Sequence, residues 1–225
     1  MLISVIIPVL NEAKTLGRTL EIVNALPGDK EVIVVDGGSS DGTSAAAEKH
    51  STVIISPRGR AIQMNVGAAA ARGEVLLFLH ADTVLPADAL DAIKHSLADA
   101  LVVGGHFRVT LSNPGWRYRM VGWSINARDR ILGGFTGDQA IFVRKDVFNT
   151  LGGYPQMPLM EDLEFGRRMQ HAGRVSRLRQ RVTTSARRWE KHGVLKTVFL
   201  MGMLRTLYYL NFPPSRLQHW YTDAR

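Results

Sequence analysis

The sequence predicts an α/β domain: a mostly parallel central sheet with helices on both faces. Three observations carry this. Apolar runs of strand length recur at residues 2–9 (LISVIIPV), 31–35 (EVIVV) and 75–79 (VLLFL). Runs that are apolar without alternation mark strands buried on both faces. Helical patterns separate them, and strands alternating with helices build parallel sheets. A polar cluster follows each run: Asn11-Glu12, Asp36–Asp41 and His80–Asp82. Open sheets of this kind bind ligands outside the carboxyl ends of their strands, so the three clusters are expected to share one crevice.

The elements follow in order. Leu16, Leu20 and Val23 recur at i, i+4, i+7 and predict a helix that "LPGDK" ends. The second strand closes in "DGGSSDGT", a turn of Gly, Ser and Asp, before an alanine-rich helix from about Thr43 to His50. A short strand, "TVIIS", leads into "PRGRAIQMNVGAAAARG", a loop entering a helix that Gly73 closes. The second half predicts a helix over Pro86–Asp99, a strand at "VVGGHFRVTL" and a helix within residues 115–132. Loop, strand, short helix and turn then run through "GGFTGDQAIFVRKDVFNTLGGY", followed by a helix from Glu161 to Gly173. "VLKTVFLMGMLRTLYYLNFPP" is the most apolar helical stretch, and neither a repeat nor a low-complexity linker divides the chain.

The 225 residues contain no cysteine, which excludes disulfides, thiolate zinc sites and cysteine nucleophiles and suits a reducing cytoplasm. The first residues lack a basic segment and a small-residue cleavage site, so they are read as a strand and not as a signal peptide. The net charge of +8 favours anionic partners. Much of it lies in Arg167, Arg168, Arg174, Arg177, Arg179, Arg181, Arg187 and Arg188, which read equally well as a solvated surface. No nucleic-acid module accompanies the charge, so nucleic acid is not expected as a partner.

The polar clusters suit a nucleotide and a divalent ion. Asp36 is placed to accept from a base or ribose, and Gly37, Gly38 and Gly42 let backbone approach a ligand. The competing reading of "DGGSSDGT" is a plain turn in which Ser40 or Asp41 caps the next helix. The GxG of a dinucleotide-binding loop is missing from the first strand–helix junction, so a dehydrogenase is not expected. Residues i and i+2 of extended chain point the same way, so His80 and Asp82 are expected to converge on one object.

Taken together, "SVIIPVLNEAKTLGRTL", "EVIVVDGGSSDGT" and "NVGAAAARGEVLLFLHADT" resemble, in order and spacing, the family-two glycosyltransferases, whose GT-A fold is a Rossmann-like, mostly parallel α/β sheet. Within that family the chain resembles a small bacterial subgroup found beside radical-SAM and selenium-related genes. The resemblance implies a donor site for a nucleotide-diphosphate sugar, with a UDP-sugar favoured. Pro8, Leu10 and Glu12 would line the nucleotide pocket, and Asp36 would bind the base with Ser39 and Asp41 nearby. Arg58 and Gly59 would border the nucleotide, with Gln63 and Asn65 further along. His80-Ala81-Asp82 stands where the family carries Asp-x-Asp. Asp82 would hold Mn²⁺ or Mg²⁺ with the donor phosphates as co-ligands, and His80 would contact the donor. The alternative is a strand-end histidine of structural role.

The resemblance also implies inverting transfer assisted by metal, with a carboxylate base. "MEDLEFG" supplies the acidic pair: Asp162 is the first candidate and Glu161 the second. Asp138 in "TGDQA" is a third and would contact the acceptor. Alternatively, the pair decorates a helix N-terminus, where the macrodipole favours acids. "SARRWEKHG" loosely resembles the Gln-x-x-Arg-Trp motif of processive members, with Arg188 and Trp189 matching and Ser185 in place of glutamine. Arg188 would clamp the diphosphate and Trp189 would stack on the acceptor. The missing glutamine argues against processivity.

The chain is read as a transferase domain over 1–190, with a nucleotide-binding half (1–100) and an acceptor-binding half (101–190). A C-terminal amphipathic helical extension covers 191–225. That extension is expected to pack on the domain surface, with a membrane surface or a second subunit as alternatives. The protein is expected to be cytoplasmic, at the inner face of the membrane if the extension meets lipid, which would suit a lipid-linked acceptor. Two rivals are a nucleotidyltransferase, disfavoured because "PVLNEAKTLG" is not a glycine-rich basic phosphate loop, and a nucleotide-binding protein with a degenerate site, raised by His80.

Overall fold

A computed structural model describes residues 1–222. The first half alternates as expected: β1 (Ile3–Val9), α1 (Ala13–Ala25), β2 (Lys30–Asp36), α2 (Thr43–Glu48), β3 (Thr52–Ile55), α3 (Arg60–Ala70) and β4 (Val75–Phe78). A short β5 (Thr83–Val84), α4 (Ala89–Leu97), β6 (Val102–Leu111) and α5 (Trp116–Leu132) follow. The chain continues through β7 (Ile141–Arg144), α6 (Lys145–Thr150), α7 (Glu161–Ala172) and β8 (Arg174–Thr184). It ends in α8 (Arg187–His192), α9 (Val194–Tyr209) and α10 (Pro214–Thr222).

Among the described residues eight strands form one sheet, in the order β3-β2-β1-β4-β7-β6-β8-β5. Strands β1 to β4 pair in parallel. β7 then runs antiparallel to both β4 and β6. β6 and β8 are parallel, and β5 closes the far edge antiparallel to β8. The first half is thus parallel and the second mixed.

The continuous apolar runs do bury both faces. In β1, Ile3, Val5, Ile7 and Val9 face α1 and α4, while Ile6 faces α3 and α6. β2 divides in the same way, Val32 and Val34 against Ile33 and Val35. Each fully buried side chain of this size stabilises by about 1.5–3 kcal/mol. Strands with no solvated face can offer polar groups to ligand only at their ends. The close pairing around β6 needs its glycine pair: a Cβ on Gly105 would fall 2.3 Å from the Ser176 carbonyl oxygen.

β8 was not read as a strand in the sequence, although its arginines do form the solvated surface that was one reading of them. Leu178, Val182 and Thr184 are buried while Arg177, Arg179 and Arg181 are exposed, the period-two pattern of a half-buried strand. The C-terminal extension, read at 191–225, holds two helices, α9 and α10, after the end of α8. Gly193, at φ 82°, separates α8 from α9, and Asn211, at φ 62°, ends the next turn before Pro213-Pro214 starts α10. Nor is α9 amphipathic: Leu204 is buried against Met160, Leu163 and Leu217, while Leu195 and Phe199 face outward. Among the described residues no helix is long and apolar enough to cross a membrane.

Candidate active site

The three clusters meet. Asn11 sits at φ 55°, a left-handed conformation that asparagine tolerates, and turns the chain after β1. Its N–H donates to Ser39 Oγ at 2.9 Å, and its Oδ1 accepts from the Ser40 N–H at 2.9 Å. The Glu12 N–H donates to Thr43 Oγ1 at 2.9 Å, and the Ala13 N–H to Asp41 Oδ2 at 3.2 Å. Asp36 is buried, and its Oδ1 accepts from the Gly38 and Ser39 N–H groups and the Ser39 hydroxyl at 2.7–3.0 Å. Ser44 donates to its other oxygen. Burial would raise this carboxyl, but these hydrogen bonds outweigh it and hold Asp36 below its ordinary value. Asp36, Ser39 and Asp41 therefore build the loop at the mouth of the crevice.

At the end of β4 the chain turns instead of extending, with the Thr83 N–H bonded to the His80 carbonyl at 3.1 Å. The rule that sends i and i+2 to one side does not hold through such a turn, and the expected convergence of His80 and Asp82 is lost. Asp82 pairs with Arg187, whose Nη2 lies 3.4 Å from Asp82 Oδ2 and 3.3 Å from Glu12 Oε2. His80 turns to the other side of the site. Its Nδ1 lies 3.1 Å from Asp138 Oδ1, and its ring packs against Gly137, where a Cβ would fall 2.7 Å from Nε2.

Gly137 joins two acids. Its N–H donates to Asp162 Oδ2 at 2.8 Å, and Asp138 follows it in the chain. Partial burial raises the Asp138 carboxyl, but the hydrogen bond and charge of His80, with Arg188 and Arg60, hold it well below the carboxylate range. Glu161 is buried and pushed upward, by desolvation first and then by the charge of Asp162; its partner is Arg60, 3.9 Å away. Asp162 is the least enclosed of the α7 pair and stands on the helix N-terminus, where the dipole favours its charge.

The remaining expected residues divide. Pro8 and Leu10 are half-buried at the end of β1. Arg58 is exposed and Gly59, at φ 147°, opens α3. Ala81 is buried, and its carbonyl accepts from Thr19 Oγ1 at 2.7 Å. Gln63 reaches the Val9 and Val35 carbonyls, and Asn65 holds the Tyr154 backbone from both ends of its amide, so the side chains of both serve packing. Arg188 lies over the Tyr221 ring, 5.1 Å from its centroid, and Trp189 packs with Leu111, Val121 and Ala186. Two residues that the sequence did not assign to the site belong there, Arg60 and Arg187. Each stands beside a named one, in "PRGR" and "ARRW", and only the phase of its helix shows which arginine faces the acids.

The residues present fit a divalent cation to a limited degree. Among the described residues no group of three or more His, Asp or Glu side chains is placed to hold one. Glu12 and Asp82 nevertheless converge on one cation already, the Arg187 guanidinium. Asp82 is a hard oxygen ligand, of the kind Mg²⁺ and Mn²⁺ take together with substrate phosphates.

An open α/β sheet thus gathers acids and arginines around the carboxyl ends of β1, β2 and β4, the place where such sheets bind ligands. The model of "Glycosyl transferase family 2" matches residues 4–151, and the chain belongs to that family. It is similar to "Glycosyltransferase AglE" of Haloferax volcanii, 32% identical over 68% of this chain and 56% of that protein. It is also similar to "PGL/p-HBAD biosynthesis glycosyltransferase" of Mycobacterium bovis, 36% identical over 67% of this chain and 62% of that one. The chain thus spans little more than half the length of these relatives. Among solved structures, S. aureus TarS 1–349 in complex with UDP-GlcNAc superposes with TM-score 0.69 at 20% identity, over 82% of this chain and 58% of that one. Mannosyltransferase PcManGT from Pyrobaculum calidifontis, in complex with GDP-Man and Mn²⁺, superposes with TM-score 0.65 at 20% identity, over 99% and 69%. These two establish the fold.

Proposed function

We propose that the protein moves a sugar, with inversion, from a nucleotide-diphosphate sugar to an acceptor hydroxyl, with Asp162 as base. A UDP-sugar is the first candidate donor, since a structural neighbour binds UDP-GlcNAc; GDP-mannose, bound by another, is the second. The observation that carries the reading is the geometry of two facing groups. Glu12 and Asp82, after β1 and β4, meet Arg187 of α8, and His80, also after β4, meets Asp138 on the loop before β7, where Gly137 binds Asp162 at the start of α7.

In the reaction the bond from the anomeric carbon to the diphosphate oxygen breaks. A bond to the acceptor oxygen forms on the opposite face, and Asp162 takes the acceptor proton. The Gly137 N–H binds Asp162 Oδ2 and the Leu163 N–H binds its Oδ1, each at 2.8 Å, which together fix the carboxylate at the start of its helix. A base must lie within hydrogen-bond reach of its proton, and a carboxylate held in one orientation meets that condition at little entropic cost. Glu161 is enclosed and tied to Arg60, and Asp138 is tied to His80, which leaves them positioning roles. Arg187 and Arg188 would meet the diphosphate charge. Asp82 would hold the divalent ion, which when bound neutralises the leaving group.

The finer placement in the small bacterial subgroup rests on the sequence motifs alone. Peripheral contact with the inner membrane face is supported by the exposed Trp116 and Trp123 of α5 and Leu195 and Phe199 of α9, and a second subunit is the alternative partner. The test is incubation with UDP- and GDP-sugars and Mn²⁺, reading nucleotide release and the anomeric configuration of the product. Inverted product supports the mechanism and retained product contradicts it. Nucleotide binding without turnover under every metal and acceptor favours the degenerate-site reading that His80 raises.

A further inference from the structure

We propose that Arg128 on α5 and Arg205 on α9 form a subsite for a phosphate group carried by the acceptor, beside the acidic cluster of Asp162 and Asp138. This rests on the transferase reading above and adds the acceptor's chemistry to it. Helices α5 and α9 pack against each other. Arg205 is only 9% exposed. Its Nη2 donates to the Gly134 carbonyl at 3.3 Å, at the foot of the loop that carries Gly137 and Asp138. Its Nη1 is buried without a partner among the described residues, and so is Arg128 Nε. A buried donor left unmatched costs about 1–3 kcal/mol, and more when charged.

The two guanidiniums also oppose one another. Burial and then the charge of Arg205 push Arg128 down to about 10, and Asp162, Asp129 and Asp138 only partly offset this. Arg205 is buried and Arg128 half-buried, and the unmatched N–H of each calls for a group that brings both negative charge and a hydrogen-bond acceptor. A phosphate supplies both, and its oxygens match the guanidinium fork. The donor diphosphate belongs elsewhere, with Arg187 at the ends of β1 and β4. Arg205 instead braces the loop of the acceptor half, so the anion it takes rides on the acceptor. The phosphate has two chemical sources, a lipid headgroup or a soluble phosphorylated acceptor.

The test is thermal unfolding of the full chain in inorganic phosphate against chloride of equal ionic strength, without metal. Wild type should gain about 3–6 °C at a tenfold excess over Kd. Arg128→Gln and Arg205→Gln should not respond, Arg128→Lys should respond in part, and Arg187→Ala should respond fully. In phosphate-free buffer Arg128→Gln should melt no lower than wild type, because it removes an unpaired charge; a merely structural arginine would lower it. If Arg205→Gln does not fold, the two Arg128 variants carry the test. No response in wild type, or a full response in Arg128→Gln, overturns the subsite. Nucleotide binding on the same samples separates the two readings: intact binding without phosphate response rejects the subsite alone, and the reverse rejects the donor site alone. Flotation with phosphatidylcholine vesicles that requires both phosphatidic acid and Arg128 makes the phosphate a lipid's. A phosphate response without flotation makes it a soluble acceptor's.

Discussion

Replacing Gly137 by alanine probes the loop that holds the acids together. The new Cβ would fall 2.7 Å from His80 Nε2 and 3.1 Å from its Cε1. Ordinary contact requires the ring to retreat by about 0.7 Å. His80 is held by a bond of 3.1 Å to Asp138, and a shift of that size away from the carboxylate breaks it. A displacement approaching 1 Å near the chemistry costs up to ~10²-fold in rate. Overpacking of this kind costs about 1–3 kcal/mol of stability. The Asp138 carboxyl, now held low by His80, should move up toward its ordinary value. The sign follows: a depressed carboxyl stabilises the fold above the unfolded carboxylate pKa of about 4, and that stability is lost as pH falls further. The variant should therefore lose less stability than wild type on going to acid. Carbon-detected NMR titration of the Asp138 carboxyl and thermal melts across acid pH measure both. An unchanged Asp138 titration with near-normal turnover would refute the coupling of Gly137, His80 and Asp138.

Three further substitutions divide the site. Asp162→Asn should leave nucleotide affinity intact and lower transfer by ~10²-fold or more, read as product formed under single turnover; near-normal transfer would move the base to Glu161 or Asp138. Asp82→Asn should remove the Mn²⁺ dependence of nucleotide binding in calorimetry, and an unchanged dependence would reject it as ligand. Arg187→Ala should act with two signs, tightening Mn²⁺ binding to the free protein by removing the cation that Glu12 and Asp82 share, and weakening nucleotide binding. A parallel loss of both, read in separate titrations, would reject the view that Arg187 stands in the cation's place.

The parallel half of the sheet was legible because its strands are buried on both faces, and runs such as "VLLFL" are too short for a buried helix and are bounded by turn residues. β8 was not, because its arginines dominate the composition while Leu178, Val182 and Thr184 alone carry the alternation. The break at Asn211 was hidden inside one long apolar stretch. At the site, strand-end clusters announce themselves through topology, so the meeting of Asn11-Glu12, Asp36–Asp41 and Asp82 could be foreseen. The partner of each acid could not. That Arg187 reaches the acids while Trp189 packs inward depends on the phase of a six-residue helix, and that His80 leaves Asp82 for Asp138 depends on a turn. Neither is written in spacing.

We propose that the ends of β1, β2 and β4 hold a nucleotide diphosphate together with a divalent ion. Calorimetric titration with UDP, GDP, CDP and dTDP, each with and without Mn²⁺, tests it most directly. Tight binding of one nucleotide, dependent on Mn²⁺ and lost in Asp82→Asn, is the expected result. Binding of none of them, or binding indifferent to both the metal and Asp82, would contradict it.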